Sequence, residues 1–145
     1  MKKLLLFAAL LPLASLAAQA QKITAKQVPA ATVATFKKAY PTVKAVAWEK
    51  EEANYEAGFT QGKSEMSVVI TPTGTLLETE MEMPVTQLPA AVRTKLATDY
   101  KGYKVLEAAK IVTAATGATT YEAEVSQAGK KRDVLFHADG TEVKK

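Results

Sequence analysis

The sequence predicts an α+β fold built as a tandem repeat, with one helix and a four-stranded antiparallel meander in each copy. Three observations predict it. The chain matches itself, first at an offset of 60 residues and then at 66. Each copy opens with a short stretch of helical periodicity behind a proline. Each helix is followed by short runs of alternating apolar and polar residues, separated by turn-forming residues.

Residues 1–20 stand apart from this pattern. Met1-Lys2-Lys3 precedes Leu4 to Ala18, where Ser15 is the one polar side chain, and Ala18-Gln19-Ala20 fits a small-residue cleavage site. The apolar run is 15 residues long and contains Pro12, short of the roughly 18–20 apolar residues that a membrane span needs. These residues are expected to be an export signal cleaved after Ala20, leaving 125 residues with no retained membrane anchor in the periplasm or outside the cell. The chain has no Cys, so disulfide staples, thiolate metal sites and the acylated cysteine of a lipoprotein are excluded.

The first copy is assigned to residues 21–87. Val33, Phe36 and Tyr40 make one apolar helical face behind Pro29, and Pro41 ends the helix. Strands are expected at about 43–50, 55–61, 65–71 and 76–83, with clear alternation in Tyr55, Ala57, Phe59 and in Met66, Val68, Ile70. Gln61-Gly62 and Pro72-Thr73-Gly74 supply turns. The second copy, residues 88–145, repeats the plan. Val92, Leu96 and Tyr100 follow Pro89, Gly102 ends the helix, and strands are expected at about 103–112, 120–127, 131–137 and 141–145. The change of offset places six extra residues between Ala108 and Tyr121, which lengthens the first hairpin of this copy. A unit of about 60 residues buries only about 60% of its unfolded surface, so the two copies are expected to pack as one cooperative domain. One sheet of eight strands and two of four both satisfy the pattern.

Charge narrows the partners. Losing Lys2 and Lys3 takes the net charge from +4 to +2. Residues 28–87 carry five Lys against eight Glu, while residues 88–145 carry ten Lys and Arg against seven Asp and Glu. Opposed halves do not make the continuous basic face of a nucleic-acid binder. His137 is the one histidine, at a strand end beside a turn, with no nucleophile elbow before it. Glu78, Glu80 and Glu82 at period two read as the solvent face of a strand, not the converging oxygens of a calcium loop. No catalytic set, metal site, phosphate loop or cofactor is expected, and the chain is read as no enzyme.

The aromatics have an internal control. Tyr40 and Tyr100 recur at equivalent positions, as do Tyr55 and Tyr121, which marks them as structural. Trp48 faces Ala108 and Tyr103 faces Val43, so the shared fold requires neither ring. Trp48 and Tyr103 are the candidate binding residues, since Trp and Tyr are enriched at interfaces; a core position for Trp48 is the alternative.

The ordered set Val28-Pro29, Phe36, Tyr40-Pro41, Val46-x-Trp48-Glu49, Tyr55-Glu56-Ala57-x-Phe59, Gly74-x-Leu76-x-Glu78-x-Glu80, Leu88-Pro89, Tyr100 and Tyr121-Glu122-Ala123-Glu124-Val125 resembles the beta-lactamase-inhibitor-like, PepSY-like family of secreted bacterial proteins. Lys101-Gly102 stands where that pattern suggests Pro-Gly. The resemblance implies a helix-plus-sheet tandem repeat similar to the beta-lactamase inhibitor protein, whose concave sheet binds an enzyme, and to PepSY domains, which are associated with restraint of peptidases. It implies no catalytic residue. The function expected from it is a binding or inhibitor-like module that docks a secreted or periplasmic protein, such as a peptidase or beta-lactamase, on its open sheet face. A carrier or sensor of a small molecule or cation is the alternative, and it requires a closed pocket with convergent polar groups.

Overall fold

The computed structural model describes residues 21–144, so the expected export signal lies outside the described residues. Strand β1 (Gln21–Ile23) leads through a 3-10 turn (Ala25–Gln27) to helix α1 (Ala30–Ala39). Four strands follow, β2 (Ala47–Glu51), β3 (Asn54–Gln61), β4 (Ser64–Ile70) and β5 (Leu76–Met83). A second 3-10 turn (Val85–Gln87) and α2 (Ala90–Asp99) precede β6 (Lys104–Thr113), β7 (Thr119–Gln127) and β8 (Lys130–Phe136). The strands form one antiparallel sheet whose spatial order is the chain order, β1 to β8. Of the two arrangements the sequence leaves open, the single eight-stranded sheet is the one formed.

Three boundaries differ from the expectation, one being the strand expected at about 43–50, which begins only at Ala47. Each copy begins with a strand before its helix: Ile23 of β1 pairs with Trp48 as Met83 of β5 pairs with Ala108, 60 residues on. Three residues are too few to display period-two alternation, which is why β1 escapes sequence reading. The strand expected at 141–145 is reduced to a single bridge between Phe136 and Glu142. Its counterpart in the first copy, β5, runs eight residues because β6 pairs with its far side. The residues that lengthen the second copy's first hairpin supply that pairing. Ile111, Val112 and Thr113 of β6 pair with Glu80, Thr79 and Glu78, and the Ala114 N–H donates to the Leu77 carbonyl at 2.8 Å.

Both helices lie on the same face. Cross-strand partners share a face and neighbours along a strand alternate, so Trp48, Ala57, Val68 and Thr79 align on the helix side, as do Met83, Ala108, Ala123 and Val134. Phe36 of α1 reaches into the first core, its ring centroid 5.5 Å from Trp48 and 5.2 Å from Phe59 in edge-on geometry, the arrangement aromatic quadrupoles favour. Val92 and Leu96 of α2 and Tyr100, which caps it, pack on Val125, Val134 and Phe136 in the second core. Each ten-residue helix is too short to persist alone in water and is held by this packing.

The turn that closes each copy touches its helix. Gly74 has φ +87° and an added Cβ would sit 2.9 Å from the Ala31 carbonyl oxygen; Gly140 has φ +85° with the corresponding distance to Ala91 at 2.8 Å. In the first copy the hydroxyls of Thr32 and Thr35 donate to the carbonyls of Thr71 and Gly74 at 2.8 and 2.7 Å. Thr32 is the buried polar side chain of the core and is satisfied by that bond. The second copy has Val92 and Lys95 at these positions and relies on apolar contact.

Candidate functional site

The face away from the helices carries most of the protein's acid. Alternation places Glu78, Glu80 and Glu82 of β5 on it, and cross-strand register extends the set through Glu49 and Glu56 on one side and Glu122 and Glu124 on the other. Among the acidic residues, Glu52, Asp99, Asp139 and Glu142 alone lie elsewhere. Lys131 sits on this face at β8 and is engaged by Glu124, Nζ to Oε1 at 2.7 Å. Short side chains shape the middle of the surface. Ala47, Gly58 and Ser67 lie side by side across β2, β3 and β4, and the row ends at Glu80. They floor a groove of about 620 Å³ walled by Glu56, Glu65, Glu80 and Glu82.

This surface is partly desolvated although no helix covers it. Ile111, directly beside Glu80, is only 7% exposed, and Ala109, between Glu82 and Glu122, is 4% exposed. Burial therefore pushes the Glu80 carboxyl up to about 7 from 4.5, with the charges of Glu122, Glu56, Glu82 and Asp133 adding to the rise. Burial raises Glu56 as well. A hydrogen bond from Ser67 opposes that shift, and Glu51 and Glu49 reinforce it. Among the described residues no group of three or more His, Cys, Asp or Glu is placed to hold a metal ion. The carboxylates are spread along a surface, which suits several separate cations better than one ion.

The two aromatics singled out in the sequence lie on the helix side and apart from this groove. Trp48 is 6% exposed, set between Ile23 and Ala57 beneath Phe36, and forms a wall of the first core. It offers little surface to a partner. Tyr103 is half-buried against the second core, edge-on to Tyr100 at 5.6 Å, with the Arg132 guanidinium 5.6 Å from its ring centroid. Trp48 and Tyr103 belong to different copies and different clusters. His137 is exposed in the turn before Gly140, its N–H donating to the Thr141 carbonyl at 2.8 Å. Sequence reading placed Glu78, Glu80 and Glu82 on a solvent face, but it could not align them with Glu56 and Glu122. The signal was present as period-two glutamates in three strands, and only register turns them into one surface.

Solved structures share this architecture. The chain is similar to a BLIP-like protein from Bacteroides fragilis NCTC 9343, with 27% identity, a TM-score of 0.63, and 81% of this chain and 84% of that chain covered. It is similar to a DUF2874 family protein from Bacteroides uniformis ATCC 8492 at 25% identity, with a TM-score of 0.70 and coverage of 81% and 87%. A protein from Bacteroides eggerthii DSM 20697, described as a putative periplasmic protein, shares the fold at 21% identity, with a TM-score of 0.70 and coverage of 81% and 86%. No curated protein matches the chain. The family described as "Putative beta-lactamase-inhibitor-like, PepSY-like" matches twice, at residues 15–78 and 76–143, and the two matches overlap at the opening of β5. With both copies matched, the chain belongs to this PepSY-like family, which is inhibitor-like by description.

Proposed function

We propose that the protein is an exported, non-enzymatic docking module whose open sheet face binds a secreted or periplasmic protein through that partner's lysine and arginine side chains. The observation that carries this reading is the segregation of charge. A chain whose net charge is +2 without residues 1–20 gathers eleven of its fifteen acidic side chains on the one sheet face that no helix covers, against Lys22, Lys104 and Lys131 on the same face. Such a surface attracts a basic partner over a distance and fixes its orientation on contact. The BLIP-like and periplasmic descriptions of the similar structures support a protein partner outside the cytoplasm; a peptidase or beta-lactamase with a basic rim is the class sought. Loss of residues 1–20 belongs to the same reading, and an intact mass of the exported form that begins at Gln21 is the expected result.

Capture of periplasmic proteins by the immobilised chain tests the docking face. A specific partner should be retained by the native chain, lost about tenfold on raising salt from about 50 to 300 mM, and lost equally from a Glu56→Gln, Glu80→Gln, Glu82→Gln triple variant. Retention unchanged in that variant would remove the acidic face from the interface. Glu80→Gln alone carries an independent readout. The folded state holds a proton on Glu80 that the unfolded chain releases above its ordinary value, so native stability falls as pH rises from 4.5 through about 7. The variant, which cannot ionise, should therefore be more stable than the native chain at pH 8 by on the order of 1 kcal/mol, screening by remaining solvent contact included. At pH 4 the difference should vanish.

A further inference from the structure

We propose that the cleft between α2 and β6 is a second binding site, on the helix side, for a small aromatic anion. The cleft has a volume of about 470 Å³ and lies between the Val85–Gln87 turn, the last turns of α2 and the start of β6, within the range of small-molecule pockets. Its walls are apolar: Val85, Leu96, Ala97, Tyr100, Tyr103 and Val105. The charged residues lining it are Arg93 and Lys101, both cations, and no carboxylate lines it. The open sheet face has the opposite character, so the two sites select different chemistry.

The two copies differ in the side chains beside this cleft. Where the first core holds Phe36, Trp48 and Phe59, the second holds Leu96, Ala108 and Val125. Three rings are exchanged for smaller side chains. Of these only Leu96 lines the cleft, and Tyr103 in place of Val43 and Val105 in place of Ala45 add apolar wall beside it.

The lining is held in place before any ligand arrives. The Tyr100 hydroxyl donates to Glu142 at 2.9 Å, and the Arg132 guanidinium stands 5.2 Å from its ring centroid and 5.6 Å from that of Tyr103. Tyr103, half-buried and held edge-on at 72° to the buried Tyr100, is the ring that the cleft offers to a ligand. Arg93 is anchored by its Nε, which donates to the Leu88 carbonyl at 3.2 Å and keeps the guanidinium at the mouth. The Tyr103 N–H donates to the Tyr100 carbonyl at 2.9 Å, which satisfies part of the negative end of α2, about two turns from Arg93. An aromatic body with one carboxylate or sulfonate matches these groups: the ring against Tyr103 and the apolar walls, the anion at Arg93.

Titration of the full chain with anilinonaphthalene sulfonate, followed by fluorescence, tests the site. Saturable one-to-one binding is expected. Ala97→Trp, which fills the cleft from an exposed helix position, and Arg93→Gln should each weaken it at least about tenfold, and the uncharged phenylnaphthylamine should bind at least about tenfold more weakly than the sulfonate. Glu80→Gln, on the opposite face, should leave binding unchanged. A thermal melt of each variant separates loss of the site from loss of the fold, and Arg93→Lys should recover part of the affinity. Non-saturable binding, native affinity in the folded Ala97→Trp protein, or equal affinity for the charged and uncharged probes would overturn the assignment. Failure of this site leaves the docking reading of the open face untouched, because that reading rests on other residues.

Discussion

Trp48→Ala is expected to destabilise the protein by about 3–5 kcal/mol, the range for emptying a large buried aromatic site. Trp48 is 6% exposed and packs edge-on to Phe36, with Ile23 and Ala57 as its cross-strand neighbours. The space it leaves is bounded by strands on both sides and by a helix above, so collapse around alanine is restricted. Ala108 occupies the same place in the second copy without harm because the surrounding residues differ there: Leu96 for Phe36, Val125 for Phe59 and Tyr103 for Val43. For a chain of this size the loss corresponds to a fall in thermal midpoint of about 10–20 °C. A fall of only a degree or two would show that the ring contributes little to the core. Partner capture measured well below the midpoint should be unchanged, since the ring lies on the helix side.

Gly140→Ala should cost about 3 kcal/mol, and Gly74→Ala a similar amount. Two terms add. A left-handed φ costs a residue with a Cβ about 1–2 kcal/mol, and at these two positions the new carbon would also meet helix backbone at 2.8 and 2.9 Å, which cannot step aside as a side-chain end can. Gly129 has φ +77° with nothing within 4 Å of an added Cβ, so Gly129→Ala isolates the conformational term and should cost about 1 kcal/mol. Urea titrations of the three variants beside the native chain give the comparison. Equal losses at Gly129 and Gly140 would mean that the close approach of turn and helix carries no energetic weight.

These two experiments also mark how far the sequence could be read. The repeat was legible from Pro29 and Pro89, Tyr40 and Tyr100, and the Tyr-Glu-Ala pairs, because residues that serve the fold recur in both copies. The helices and the central strands followed from periods of 3.6 and two. The unpaired rings were a less certain guide. A ring present in one copy and absent from the other reads either as binding surface or as core, and Trp48 fills volume that the second copy distributes differently. Packing is a property of a set of side chains, and a one-to-one alignment cannot see that exchange. Tyr103 is the converse, a ring whose surroundings line a cleft that no single position in the sequence announces. The acidic face escaped for a third reason: Glu56, Glu80 and Glu122 are far apart along the chain, and only the strand register makes them neighbours.

β5 belongs to both copies at once. Its residues from Leu76 to Met81 pair with β4 and those from Glu78 to Met83 with β6, and the two copies share it with no linker between them. The angle between the repeats is consequently set by backbone ladders on both sides of one strand, and no hinge remains for a partner to adjust. A surface assembled from both repeats is then preorganised. Little orientational entropy has to be surrendered when something docks across the seam, so a modest contact area can support useful affinity. The same inflexibility limits the repertoire of partners, because a target whose basic groups do not match the fixed spacing of the glutamates finds no conformation of the module that accommodates it.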